Sequence, residues 1–284
     1  MQVAPSAYWR YAARVSNPDL QSRRAKRDAE LMPVIKQVWT VNFRVYGARK
    51  VWRELCRQGY EVARCTVERL MAKHGMQGVR RGKVVRTTVP DEKALCPLDL
   101  VNRQFQADRP NRLWVADFTY VSTWQGWVYV AFVIDVFACR IVGWRMSSSM
   151  TSDFVLDALE QAIYARKPAE AQDLIHHSDR GSQYLSIRYT DRLTDAGIKA
   201  SVGTTGDSYD NALAETINGL YKTELIHHRG PWKTKAAVEM ATLEWVAWFN
   251  NQHLLGSIGY IPPAEAEQNY YKQKQSEVLE SEAL

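Results

Sequence analysis

Three carboxylates stand where carboxylates are costly. Asp117 interrupts the apolar run LWVADFTYV, Asp179 ends LIHHSD, and Glu215 lies inside NALAETINGLYKTEL. A carboxylate among apolar neighbours loses hydration and needs compensation. A divalent cation is one compensation, since Mg2+ takes oxygen from one or two carboxylates and completes its shell with phosphate and water. Two such ions about 4 Å apart can clamp the attacking and leaving oxygens of a phosphodiester. Acids on two strands and a helix can converge on such a pair more rigidly than acids on loops. The residues alone do not single out this set. Asp135, in VIDVF, stands in a similar apolar context, and reads instead as a strand-end or hairpin residue.

The surroundings of Glu215 add a pattern. Asn211, Glu215, Asn218 and Lys222 follow a four, three, four spacing and so share one helix face. Leu213, Ile217 and Leu220 are expected to form a separate, buried face. An Asn–Glu–Asn–Lys stripe suits a nucleic-acid backbone, with Lys222 as a phosphate contact. An ordinary solvated helix face has the same pattern.

The elements that must hold these residues are legible in outline. NRLWVADFTYVS, WVYVAFVIDVFA and RIVGWRMSSS are apolar, β-rich and separated by short breaks, which predicts consecutive antiparallel strands. An amphipathic helix is expected over about 152–166, with Phe154, Leu156, Leu159 and Ile163 inward. DLIHHSD reads as a short strand. A helix near 187–196 leads to the strand IKASVG, and the loop TTGDSYD opens the helix that carries Glu215. A last helix, about 234–250, presents Val238, Leu243, Trp245 and Trp248. Three strands followed by helix, strand, helix, strand and helix predict a mixed α/β sheet with helices on its faces. The final residues, QSEVLESEAL, are expected to fray.

Charge divides the chain. Residues 1–90 hold 19 Lys+Arg against 6 Asp+Glu, a net of +13, while residues 91–284 hold 18 against 25, a net of −7. A basic N-terminal third suits a polyanion, although a solvated basic surface or an RNA-binding arm would look alike. In that third, Asn17-Pro18 reads as a helix start running to about Val41, with Leu31, Ile35 and Val38 inward. Val51 and Leu55 mark a second helix, Gly59 a break, and Val67, Leu70 and Met71 a third. Two short helices about a glycine turn are a helix-turn-helix candidate, on which Arg64, Arg69 and Lys73 would lie off the apolar stripe. A basic helical hairpin without groove contact fits equally. Residues 78–103 lose periodicity and read as a linker.

Other classes are bounded more briefly. The chain is 46% apolar and 24% charged, ample for a folded core. No apolar run approaches the roughly 18 residues of a membrane span, and no secretory h-region is visible, so the expected address is the cytoplasm. Cys56, Cys65, Cys96 and Cys139 follow no zinc spacing and are expected to be free and mostly buried.

At this point the residues resemble a known family. WVADFTYV, IDVFACRIVGW, HHSDRGSQY, GDSYDNALAETINGLYKTEL and WFNNQHLLGSIGYIPPAEAE, in that order, resemble the catalytic core of retroviral integrases and bacterial insertion-sequence transposases. The nearest resemblance is to the second-reading-frame product of the insertion sequence 3 family, and it extends over about 40–268. Thirty-five residues separate Asp179 from Glu215, the spacing typical of that group. VYGARKVWREL and VERLMAKHGM resemble its helix-turn-helix region.

The resemblance implies an α/β, RNase H-like mixed sheet flanked by helices, preceded by an all-α helix-turn-helix region. It implies a DNA-binding region over 1–92, a linker over 93–108, a catalytic core over 109–268 and a polar tail over 269–284. Asp117, Asp179 and Glu215 match the catalytic, metal-holding acids, with Mg2+ or Mn2+ as cofactor and two ions expected when DNA is bound. Lys222 matches a basic position near DNA; His177, Gly181, Gln183 and Tyr184 match the pattern around the second acid. The family's C-terminal segment departs here, with His253 at an expected Arg and Leu255 at an expected His. The implied activity is metal-dependent strand cleavage and strand transfer at the ends of an insertion sequence, through an excised circle. Implied partners are DNA (terminal repeats and target), further copies of the chain on DNA, and an upstream-frame protein (OrfA) or a fusion with it, in a bacterial, nucleoid-associated setting. A nuclease that cuts without joining, and a non-catalytic regulator derived from a transposase, are the competing readings.

Overall fold

In the computed structural model, residues 4–80, 82, 107–167, 173–179, 183, 184, 186–202 and 212–282 are described. They belong to two compact units, Met1–Val79 and Arg80–Leu284.

The first unit is helical: α1 (Pro5–Ser16), a 3-10 turn (Pro18–Leu20), α2 (Arg23–Val41), α3 (Ala48–Arg57) and α4 (Arg64–Lys73). α1 has no buried residue and has no counterpart in the expected elements. The helix expected from Asn17 starts later. Asn17 Oδ1 accepts from the Asp19 N–H at 2.9 Å and so caps only the 3-10 turn, while Ser22 Oγ caps α2 by accepting from Ala25 N–H. Leu31, Ile35 and Val38 of α2 pack with Val51 and Leu55 of α3 and Val67, Leu70 and Met71 of α4, and all are buried. Between α3 and α4, Gly59 takes φ +85°, a conformation cheap only without a Cβ.

The second unit is built on a five-stranded sheet: β1 (Leu113–Thr123), β2 (Gly126–Asp135), β3 (Arg140–Ser147), β4 (Ile175–Ser178) and β5 (Lys199–Val202). The spatial order is β3-β2-β1-β4-β5. β1–β2 and β2–β3 run antiparallel; β1–β4 and β4–β5 run parallel. This mixed sheet with helices on its faces is the RNase H-like fold. On one face lies α5 (Ser152–Arg166), followed by α6 (Ile187–Asp195). Trp114, Ala116, Ala131 and Val133 of the sheet meet Phe154, Val155, Ala158, Leu159, Tyr189 and Leu193 there. Leu156 and Ile163, expected inward, are only partly buried at the edge of that core. Gly143 allows the close approach, because a Cβ on it would lie 2.1 Å from the Ala158 carbonyl.

Against the other face stand α7 (Ala212–Tyr221), its π-helical continuation Lys222–Ile226, the short α8 (His227–Arg229) and α9 (Lys235–Asn251). Phe132 of β2 packs on Tyr221 at 5.2 Å and on Trp245 at 6.1 Å between ring centroids. Three expectations change here. The buried face of α7 is Ala214, Ile217, Asn218 and Tyr221, not Leu213, Ile217 and Leu220. Tyr221 can turn inward because its hydroxyl pairs with Thr242 at 2.7 Å. Leu243 of α9 is half exposed. The C-terminal segment is no loose tail, since α10 (Pro263–Glu282) continues the helix through it. Near its start, the buried Glu267 accepts from Arg140 and Arg166, and Arg166 also stands 3.5 Å from Asp135.

Among the described residues the thiols are free, but Cys56 and Cys65 are exposed and only Cys139 is buried. Cys96 lies outside the described residues. No helix of the described residues is long and apolar enough to cross a membrane.

Candidate active site

The parallel register Ala116↔Ser178 decides where the first two acids stand. One residue on, Asp117 and Asp179 occupy neighbouring positions on adjacent strands, and residues opposed across a ladder project to the same face. Asp117 is one of the odd-numbered residues of β1 that face α7. Its carboxylate is held at both oxygens: the Phe118 N–H donates to Oδ1 at 2.8 Å and the Asn218 amide donates to Oδ2 at 2.8 Å. Asn218 is one helical turn from Glu215 on α7, so the bond that anchors Asp117 also sets Glu215 beside it.

The electrostatics report the same gathering. Burial pushes the Asp117 carboxyl up to about 7, and the charges of Asp179 and Glu215 add to the rise, while the bonds from Phe118 and Asn218 oppose it. Three like charges repel unless something positive stands among them. Asp179 and Glu215 are exposed. As placed, no three His, Cys, Asp or Glu side chains among the described residues could hold a metal ion. The donor set is nevertheless all oxygen, suited to a hard divalent cation, and it is open to solvent at two of its three members.

Around the acids the expected residues take different tasks. His177 is buried, with Nδ1 2.9 Å from Ser201 Oγ on the next strand. Tyr184 is buried against Phe118 and Tyr189. Burial and the nearby Asp117 raise its phenol well above the ordinary range, so it stays protonated. The Gln183 carbonyl accepts from Ser186 Oγ. Lys222 extends over the Tyr120 ring, 4.6 Å from its centroid. Asn211 and Gly181 lie outside the described residues. Asp135, the rival acid, is a strand-end residue: it accepts from the N–H groups of Asn111 and Phe137 and faces Arg166. His253 is buried, Nε2 3.1 Å from Glu224 Oε1, and Leu255 is buried in a bridge to Ile261. Both departures from the family pattern therefore sit in packing.

Asn218 is the correction of most consequence. Its place in the stripe suggested a DNA contact, but its side chain is turned inward to Asp117. The rotation of α7 decided this, and only its alanine and tyrosine at 214 and 221 hinted at it. In the helical unit, Arg69 is likewise committed, donating to Asp28 at 2.7 Å; that bond lowers the Asp28 carboxyl and raises the Arg69 guanidinium. Arg64 is exposed, pairing with Glu68 on the same helix face, and Lys73 is exposed.

An HTH-like domain model matches residues 26–84, and integrase core domain models match 107–208 and 196–263. The chain is 60% identical over 271 residues to the transposase for insertion sequence element IS629 of Shigella sonnei, covering 95% of this chain and 90% of that protein. The chain belongs to the insertion sequence 3 family of transposases. It is also 55% identical over 278 residues to the putative transposase for insertion sequence element IS986/IS6110 of Mycobacterium tuberculosis, covering 97% of this chain and 98% of that one. Among solved structures, the HTLV-2 integrase catalytic core domain in complex with magnesium aligns over 56% of this chain and 98% of that chain, with TM-score 0.44 and 18% identity. Membership of that family, with its integrase core domain, makes the transposase a DDE-type enzyme that cuts DNA strands and transfers them. It binds DNA, and its type of core depends on a divalent cation. The readings as a cutting-only nuclease or a non-catalytic regulator are not favoured.

Proposed function

We propose that Asp117, Asp179 and Glu215 are the catalytic acids of this transposase, holding Mg2+ or Mn2+ through their carboxylate oxygens. The observation that carries the reading is the pairing of β1 with β4, which sets Asp117 beside the position of Asp179, with α7 bonded to the first of them. When bound, the cations polarise a phosphodiester and offset the charge that gathers during in-line displacement. The chain's own groups prepare that site. Phe118 N–H and Asn218 fix the Asp117 carboxylate, so that little reorganisation remains. Tyr184 closes the buried side beneath the acids. Lys222, half-buried at the first position after α7, contacts a phosphate. A water or a 3′ hydroxyl is the nucleophile, and no covalent enzyme intermediate forms.

The ends of the element and the target DNA are the substrates, and further copies of the transposase assemble on them, with the upstream-frame protein or a fusion to it completing end recognition. The helical region, taken to residue 92 and followed by a linker to 108, supplies phosphate contacts from Arg64 and Lys73. Arg69 serves its packing through Asp28. Incubation of Asp117→Asn with end-bearing DNA and Mg2+ tests the assignment: cleavage and joining disappear while DNA binding persists. Full cleavage by that variant would sink it.

A further inference from the structure

The β1–β2 hairpin carries a surface that the acids do not explain. Tyr120, Trp124 and Trp127 are 45%, 70% and 53% exposed, unusual for three large rings within eight residues. They are held in place. The Trp124 N–H donates to the Trp232 carbonyl at 3.0 Å, and the Lys235 N–H donates to Gln125 Oε1 at 3.1 Å. Thr123 Oγ1 donates to the Gly126 carbonyl at 2.6 Å and accepts from the Gln125 N–H at 3.2 Å. Tyr120 and Trp127 share a face of the hairpin, as the register Tyr120↔Tyr129 and Ser122↔Trp127 requires, and their rings meet edge to face at 5.3 Å.

Two cations accompany the rings. Lys222 lies 4.6 Å from the Tyr120 centroid and Lys233 5.6 Å from that of Trp124. Among the described residues neither lysine is paired with a carboxylate. A nucleotide offers the complement, a flat base beside an anionic phosphate. In a duplex the base faces are hidden by stacking, so exposed rings select unpaired nucleotides, whose stacking on aromatic side chains is sequence-tolerant. Symmetric contact with a second copy of the chain would instead bring like lysines together.

We propose that this aromatic–lysine shelf binds unpaired nucleotides of the DNA strand beside the acidic cluster. Tyr120 is three strand residues from Asp117, roughly 10 Å at the usual rise, and projects to the other face of β1; Lys222, which follows α7 and its Glu215, reaches the Tyr120 ring and so joins the shelf to the side that carries the acids. The placement rests on reading Asp117 as part of the reacting centre. The test reads binding, so either reading can fail without the other.

Full-length transposase is mixed, without divalent cation, with duplex DNA of arbitrary sequence that is either blunt or carries a five-nucleotide single-stranded tail containing 2-aminopurine. The wild type should quench the 2-aminopurine and bind the tailed duplex more tightly. Joint Trp124→Ala and Trp127→Ala replacement should remove most of that preference, about tenfold, and leave blunt-duplex affinity unchanged; joint replacement by Phe should retain it. Lys233→Glu should weaken tailed binding in the same sense. Absence of tail preference and quenching in the wild type overturns the proposal without recourse to any variant. Equal loss on both DNAs by the Ala variant and by Lys233→Glu also overturns it. So does a changed oligomeric state on sedimentation with tail preference intact, which would assign the shelf to a second copy.

Discussion

Truncating Asn218 tests whether the orientation of Asp117 matters as much as its charge. In Asn218→Ala the amide that donates to Oδ2 at 2.8 Å is gone, and only the Phe118 N–H at Oδ1 still restrains the carboxylate. A hydrogen bond to a charged group contributes about 1.5–3 kcal/mol, which corresponds to roughly ten- to 150-fold in rate if the bond is kept through the reaction. The lost bond also opposed the rise of the Asp117 carboxyl to about 7, so the variant's carboxyl rises further. A carboxyl must be deprotonated to bind a cation. The acid limb of the pH–rate profile therefore moves to higher pH, and half-saturating Mg2+ increases. The assay is single-turnover cleavage of end-bearing DNA across Mg2+ concentration and pH, with thermal unfolding and DNA binding as controls. Asn218→Asp, which keeps the shape but adds a fourth acid, should be worse than Asn218→Ala. Activity of Asn218→Ala within twofold of wild type at every Mg2+ concentration would refute the reasoning.

Three further expectations follow from the same geometry. Arg64→Ala and Lys73→Ala should each flatten the salt dependence of DNA binding by about 0.9 in log–log slope, whereas Arg69→Ala should lower the thermal midpoint of the helical unit through loss of its bond to Asp28. His176 is buried against Tyr189 and pushed down to about 3 by burial. The unfolded chain then binds the extra proton between pH 6.5 and 3, so stability falls on acidification. From pH 7 to 5 this amounts to about 2 kcal/mol, and His176→Gln should remove that component in urea titrations at the two pH values. Glu267→Ala should destabilise the catalytic unit by roughly 3–5 kcal/mol, because it leaves the nearly buried Arg166 without its main partner; chemical denaturation measures it.

Local pattern and long-range packing divided the work unevenly. Strand alternation and helix periodicity are written into neighbouring residues, so all five strands, α5, α6, α9 and the α3–α4 pair were legible in the sequence; the three acids proposed as catalytic were singled out from Asp135 only by a family resemblance that linked them across the chain. Family membership was likewise readable from motif order. Tertiary structure alone decided rotation and pairing. α7 turns by roughly one residue from its expected face because Ala214 is small enough, and Tyr221 well enough hydrogen-bonded, to lie against the sheet; Asn218 thereby faces Asp117 rather than solvent. The same limit applies to Arg69, whose partner lies 41 residues away, and to the C-terminal helix, whose Glu267 is buried by arginines from β3 and α5. Side-chain chemistry names what a residue can do, but its partner depends on distant segments that a periodic pattern does not encode.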